Sequence, residues 1–266
     1  MVMTKQMLKN HFNYMKKILL ILAVLTLGIS TAEAQKVRVM SYNVKNGSGK
    51  DGIKDIKRCG NLVREVQPDV VAVQELDSCT RRNKFYVLGR MAEAAGGYHA
   101  YYGPTIPHSG GKYGIGVLTK EPALSVEFHR LPCPREPRGL LVVELKKYYI
   151  LCTHLSLKEA QRVESVGIIK EVVSKLKNKP VFIAGDMNAR PGSAPIVAFK
   201  EFAQVLSDES KFTFPSTDPR ACIDYIFGVN GSFKVTGRKI FYESLASDHL
   251  PLYVDVKVSK PKKSKK

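Results

Sequence analysis

Tryptophan is absent from the chain, and cysteine is both scarce and odd in number. The five cysteines (Cys59, Cys79, Cys133, Cys152, Cys222) cannot all pair within one molecule, and none lies in a CxxC, which excludes a complete disulfide framework. One or two incidental bridges stay open, and Cys152, inside an apolar run, is expected as a small buried hydrophobe. Long hydrophobic stretches are missing too. The most apolar segment, 18–27 with Thr26 interrupting it, falls well short of the roughly twenty residues a bilayer requires, so neither a multi-span protein nor a permanent anchor is expected. Internal repeats and low-complexity tracts are lacking apart from a lysine-rich end, which excludes collagen-like and adhesive designs. What remains is an ordinary globular composition, 44% hydrophobic and 25% charged, long enough to bury a core without covalent staples.

The N-terminus has the pattern of a secretory signal peptide. Lys16-Lys17 precedes the short apolar run, and Ala32-Glu33-Ala34 follows it as an A-x-A cleavage site. Residues 1–34 are therefore expected to be removed by cleavage near Ala34, with Met15 as an alternative start, leaving a periplasmic or secreted protein. No cysteine follows the run at a lipoprotein position. The formal charge is +18; removing the leader's four Lys and one Glu leaves +15, and the six Lys of the last ten residues account for all but +9 of that. A basic body favours anionic partners such as nucleic acid, phospholipid head groups or polyanionic glycans. The Lys-rich tail, 258–266, serves equally well as a solvated end and does not decide among them.

Across residues 35–257 short β-rich runs alternate with amphipathic helices and no linker intervenes, which implies one α/β domain. The spacing predicts strands over 37–43, 69–73, 98–102, 113–119, 123–130, 139–145, 148–153, 181–184, 222–227, 233–242 and 250–256. Helices are expected around 53–66, stopped by Pro68, and over 84–95, 158–177 and 195–202. The third should bury Val163, Val166, Ile169, Val173 and Leu176 on one face.

The polar residues of interest share one placement, near an end of an apolar strand, where a packed sheet aims side chains into a common cleft. They are Asn43, Glu75, His154, Asp186 with Asn188, Asp224, and Asp248 with His249. Any one of them alone is a turn former or a surface residue. Six such junctions supplying acids, amides and two histidines suit hard-metal phosphoester hydrolysis. Mg²⁺ takes a few carboxylate or amide oxygens and leaves positions for phosphate, a demand that Asn43, Glu75 and Asp248 fit. With only two histidines at the junctions and no cysteine pair, Zn²⁺ is disfavoured. Asp224 and His249 offer a carboxylate-held imidazole, although spacing alone does not bring them together.

The ordered set Ser41-Tyr42-Asn43, Val73-Gln74-Glu75, Cys152-Thr153-His154, Gly185-Asp186-Met187-Asn188, Ile223-Asp224-Tyr225-Ile226 and Ser247-Asp248-His249-Leu250-Pro251 resembles the endonuclease/exonuclease/phosphatase superfamily, the DNase I-like metal-dependent phosphoesterases, in its small secreted bacterial-type members. GDxN and SDH are weak alone; the whole order, spanning 37–256, is specific. The resemblance implies a four-layer α/β sandwich of two packed, mostly antiparallel sheets flanked by helices. It implies Glu75 as principal metal ligand, with Asn43 and Asp248 completing or supporting the site for Mg²⁺, or Mn²⁺ in its place. His249, oriented by Asp224, would activate or orient the attacking water. Asp186 would position the nucleophile or manage a proton, Asn188 would hold the phosphoryl group, and His154 would stabilise the scissile phosphate or protonate the leaving oxygen. Arg138 stands where the family often carries a phosphate-facing arginine, and Tyr113 in Gly110-Gly111-Lys112-Tyr113-Gly114 either lines the cleft or packs a turn. Arg81-Arg82 is similar to a basic element near the cleft of small members, but a solvated loop is the commoner setting for such a pair.

The function so implied is an exported, Mg²⁺-dependent hydrolase of phosphodiester bonds, with a nuclease favoured by charge and export. The absence of Trp and of an obvious duplex-gripping loop weighs against nucleic acid. A phospholipid, phosphoinositide or sugar-phosphate hydrolase, of phosphatase or sphingomyelinase type, is the alternative on the same site. A non-catalytic polyanion binder is the third possibility, and it has no use for the intact polar set. The expected form is a monomer with a phosphate-ester substrate and no obligate protein partner.

Overall fold

The structure is a computed structural model describing residue 7 and residues 10–16, 34–177 and 179–259. The chain divides into two units, Met1–Glu33 and Ala34–Lys266. In the first, residues 10–16 are helical. Most of the expected leader, and the Lys-rich end from 260 onward, lie outside the described residues. No helix among those described is long and apolar enough to cross a membrane.

The second unit carries strands β1 (Gln35–Asn43), β2 (Val70–Ser78), β3 (His99–His108), β4 (Gly111–Thr119), β5 (Ser125–Leu131), β6 (Arg138–Glu144), β7 (Tyr149–His154), β8 (Val181–Asp186), β9 (Gln204–Val205), β10 (Asp224–Val229), β11 (Ser232–Ile240) and β12 (Leu252–Ser259). Its helices are α1 (Ile56–Val66), α2 (Val87–Ala94), α3 (Glu159–Lys175) and α4 (Ala194–Lys200). Two six-stranded sheets result, in the orders β11-β12-β1-β2-β4-β3 and β5-β6-β7-β8-β10-β9. Each is antiparallel except for one parallel pair, β1 with β2 and β7 with β8.

Alternation of side chains sorts these elements into four layers, as expected. Val39, Val70 and Ala72 from the first sheet meet Ile150, Cys152, Phe182 and Ala184 from the second in the core between the sheets. Their sequence neighbours point the other way. Met40, Tyr42, Val71 and Val73 pack with Leu62 and Val63 of α1 and Leu88 and Met91 of α2. Leu151 and Ile183 pack with Val166 and Ile169 of α3 and with Phe199 of α4. Each such buried aliphatic contributes about 1.5–3 kcal/mol, so both faces of both sheets hold the sandwich together.

Several local expectations are corrected. Ile53 is exposed and precedes its helix, because Asp55 caps α1 by accepting from the Lys57 N–H at 2.9 Å. Val163 is also exposed; Arg162 takes the buried place beside it, donating to the Ser156 carbonyl at 3.0 Å. β3 runs on through Pro104 and Pro107, which an edge strand accommodates because no interior ladder bond is lost. All five cysteines are unpaired, with Cys152 fully buried, so neither of the bridges left open forms.

Candidate active site

Strand direction gathers the polar junctions at one end of the sandwich. β7 and β8 run parallel, so their last residues, His154 and Asp186, are register partners. Antiparallel β10 begins alongside, with Asp224 opposite Asp186. In the other sheet β1 ends at Asn43, opposite Gln74 of β2, and His249 arrives from the loop before β12. Two local features sharpen the placement. The β2–β4 register breaks between Val73 and Leu76, and within that break Glu75 adopts a left-handed φ of 62°, which re-aims its carboxylate. Gly185 lets β8 close on β7: a Cβ there would stand 1.9 Å from the Thr153 carbonyl oxygen.

Asp186, fully buried, is the hub. Its Oδ1 accepts from the Asn188 backbone N–H at 2.8 Å and its Oδ2 from Asn43 Nδ2 at 3.1 Å. The Nε2 atoms of His154 and His249 stand 3.5 and 3.6 Å from the same Oδ2. His249 Nδ1 donates to Asp224 Oδ2 at 2.9 Å, and Thr213 Oγ1 donates to that oxygen at 2.5 Å. Burial opposes charge on His249, but the carboxylates of Asp224 and Asp186 outweigh it and raise the imidazole to about 10. His154 instead meets Arg138, whose Nη1 donates to Nδ1 at 3.3 Å. A guanidinium offers no acceptor, so Nδ1 carries the lone pair and the ring proton sits on Nε2, facing Asp186. Burial, and then the Arg138 charge, hold His154 well below the ordinary histidine range. Burial and the charge of Asp224 push the Asp186 carboxyl up to about 7. A charged imidazole and a neutral one thus flank a carboxyl that changes charge near neutrality, an arrangement able to take up and deliver protons on two sides of a cleft.

The oxygen donors fit a hard cation. Asn43 Nδ2 donates to Glu75 Oε1 at 3.0 Å as well as to Asp186, so two acids converge on one amide. Among the described residues, Asp224 Oδ1 and Asp248 Oδ1 are buried without a partner, leaving acceptors in excess. Oxygen-rich sets of this kind suit Mg²⁺ or Ca²⁺ better than Zn²⁺. Among the described residues, Asp186, Asp224 and His249 hold potential ligand atoms within 4.8 Å of one another. The imidazole of that trio is already committed to Asp224, which makes Glu75 with Asn43 the better seat.

Not every expected residue joins this cluster directly. Asp248 Oδ2 pairs with Lys45 Nζ at 2.8 Å. Asn188 turns its amide to the Leu155 carbonyl at 3.0 Å and reaches Asp186 through its backbone. Arg138 is buried and also pairs with Glu136 at 2.9 Å. Tyr113 lies beside Glu75, and burial and that acid raise its hydroxyl far above the usual tyrosine value. Arg82 is exposed, as expected of a solvated loop, yet it grips fully buried Asp77 with two bonds of 2.7 and 2.9 Å and lies 5.8 Å from the Tyr113 ring. Lys45 and Thr213 escaped the sequence analysis. Lys45 follows Asn43 by two residues, the one clue available, whereas Thr213 sits in a loop with no periodic or motif signal.

A family model described as "Endonuclease/Exonuclease/phosphatase family" matches residues 40–249. The chain is 25% identical over 218 residues to YbhP of Escherichia coli K12, an uncharacterized protein, covering 74% of this chain and 86% of that one. An endonuclease/exonuclease/phosphatase protein from Beutenbergia cavernae superposes with a TM-score of 0.67 at 23% identity, over 85% of this chain and 72% of that one. The mannosyl-6-phosphatase of Bacteroides thetaiotaomicron superposes with a TM-score of 0.66 at 20% identity, over 83% and 99% of the two chains. At these identities the two structures speak for a shared fold.

Proposed function

Since the chain belongs to the endonuclease/exonuclease/phosphatase family, whose members are metal-dependent hydrolases of phosphate esters, we propose that it is a Mg²⁺-dependent phosphodiesterase acting outside the cytoplasm, with nucleic acid as the favoured substrate. The convergence of two imidazoles, the Asn43 amide and the Asn188 backbone N–H on Asp186, with Asp224 behind His249 and Glu75 on the same Asn43 amide, carries this reading. Glu75 and Asn43, with Asp248 in support, would hold Mg²⁺, which when bound would lend positive charge to phosphate oxygens and make water a stronger acid. Asp186 takes the proton of the attacking water. His249, held by Asp224, orients that water and presents its Nε2–H to a phosphate oxygen. Across the cleft Arg138 pairs with the phosphate, His154 offers its Nε2 proton to the leaving oxygen, and Asn188 holds the phosphoryl group. Tyr113 closes the wall beside Glu75.

Export through a leader over 1–34, a catalytic domain over 35–257 and a solvated Lys-rich tail belong to the same proposal. The net charge of +15 left once the leader is removed supports a polyanionic substrate, bound with strong salt dependence. One observation favours a second reading, a sugar-phosphate monoester. A cavity of about 250 Å³ adjoins Arg138, lined by Pro134, Glu136, Ser156, Leu157 and Gln161, a space suited to one small ring and not to a duplex.

Mg²⁺-dependent nicking of supercoiled plasmid, beside a chelated sample and His249→Ala, tests the proposal. Nicking lost in both controls supports the nuclease. Phosphate release from sugar phosphates without nicking moves the assignment to the second reading, and activity that survives His249→Ala overturns the mechanism.

A further inference from the structure

The four acids of the cleft are not compensated alike. Asp224 has His249, and Asp186 has two imidazoles, an amide and a backbone N–H. Glu75 has the Asn43 amide and, among the described residues, no cation within ion-pairing distance. Asp248 differs from all three in holding a permanent charge, the Lys45 ammonium at 2.8 Å.

This pair is built in. Lys45 lies in a 3₁₀ turn straight after β1, at a left-handed φ of 43° that a lysine adopts only under constraint, and Asn46 follows at 49°. The turn is pinned from both sides: the Lys45 N–H donates to Asn43 Oδ1 at 3.1 Å, and Asn83 Nδ2 donates to the Asn46 carbonyl at 3.0 Å. The loop carrying Asp248 is tied to the same asparagine, because Ser247 Oγ donates to the Asn43 carbonyl at 2.7 Å. Asn43 therefore fixes both the lysine and the aspartate while its side chain faces Glu75. An ammonium has three donors and no acceptor, so it cannot share a metal's ligands; it can only repel a cation or replace one.

We propose that the cleft binds a single divalent cation on the Glu75–Asn43 side, and that Lys45, paired with Asp248, is the fixed charge that excludes a second. The inference rests on the metal-dependent reading of the site. Lys45 acts as a positioning residue that sets metal stoichiometry, and its removal frees Asp248 Oδ2 beside the unpartnered Oδ1, opening the carboxylate to an ion.

Mn²⁺ titration of the purified full-length protein, with unbound Mn²⁺ followed by electron paramagnetic resonance, reads the stoichiometry without any substrate. One ion per chain is expected for the wild type and for Lys45→Arg, and two for Lys45→Met. Adding Asp248→Asn to Lys45→Met should return the count to one, and circular dichroism confirms that each variant is folded. Two ions of similar affinity in the wild type, or one ion in a folded Lys45→Met, would overturn the proposal. No ion in the wild type would overturn the metal-dependent reading itself, a failure separate from either of these.

Discussion

The two histidines of the cleft are both buried and both within 3.6 Å of one Asp186 oxygen, yet they carry opposite charge states. On one side, two carboxylates hold His249 charged up to about pH 10. On the other, burial, reinforced by the Arg138 charge, holds His154 neutral well below the usual range. Burial lowers both, so the neighbours decide: acids outweigh burial at His249, whereas a guanidinium adds to it at His154. One fold thus prepares two proton states from one side-chain type, 95 positions apart in sequence.

The severest way to break the contrast is Asp224→Asn, which removes the acid that defines the charged side. Turnover of a phosphodiester should drop about 10²–10⁴-fold with KM little changed, as steady-state kinetics would show. Attacking the neutral side with Arg138→Met takes one phosphate partner away. A loss of about 10²-fold is expected, together with a His154 imidazole that titrates closer to its ordinary value by NMR. Gly185→Ala strains the hub between the two sides. The Cβ meets the Thr153 carbonyl, and urea denaturation should show about 1–3 kcal/mol of lost stability.

The gentlest test changes only pH, in metal-free protein. Because the folded pKa of His249 lies above its unfolded one, its stabilisation is complete below about 6.5 and fades as pH rises toward about 10. His154 works the other way, costing stability as pH falls below about 6.5, where the unfolded ring gains a proton that the folded one refuses. Urea midpoints should decline on the alkaline flank, whereas on the acid flank the raised carboxyl of Asp186, which stabilises the fold as it gains its proton below about 7, offsets the cost at His154. His249→Asn should flatten the alkaline limb alone, and a limb that persists in that variant would refute the assignment.

Much of this site was legible because a polar residue at the end of an apolar strand is a local signal, and Asn43, His154, Asp186 and Asp224 all carry it. Period-two alternation likewise exposed the layers. What stayed hidden depends on contacts between distant segments. Thr213 reaches Asp224 from an irregular loop, and Glu75 enters its bulge without a glycine to announce it. Arg82 is solvated as its composition suggested, but its ion pair stayed hidden: the fully buried carboxylate of Asp77 needs a counter-ion, a demand that appears only once the fold has buried it. At Val163 the helical period chose the apolar residue, whereas the carbonyl of Ser156 chose Arg162.

β1 lies inside its sheet between β2 and β12, and Gln35 pairs with Val258. The first strand of the domain therefore waits for the last one. No length of nascent chain short of the C-terminal strand can complete the layer that carries Asn43 and Glu75, and closing so long a loop is slow. A polypeptide assembled on that schedule keeps its first sheet open until β12 has emerged, so the half of the cleft that holds Asn43 and Glu75 is the later one to close.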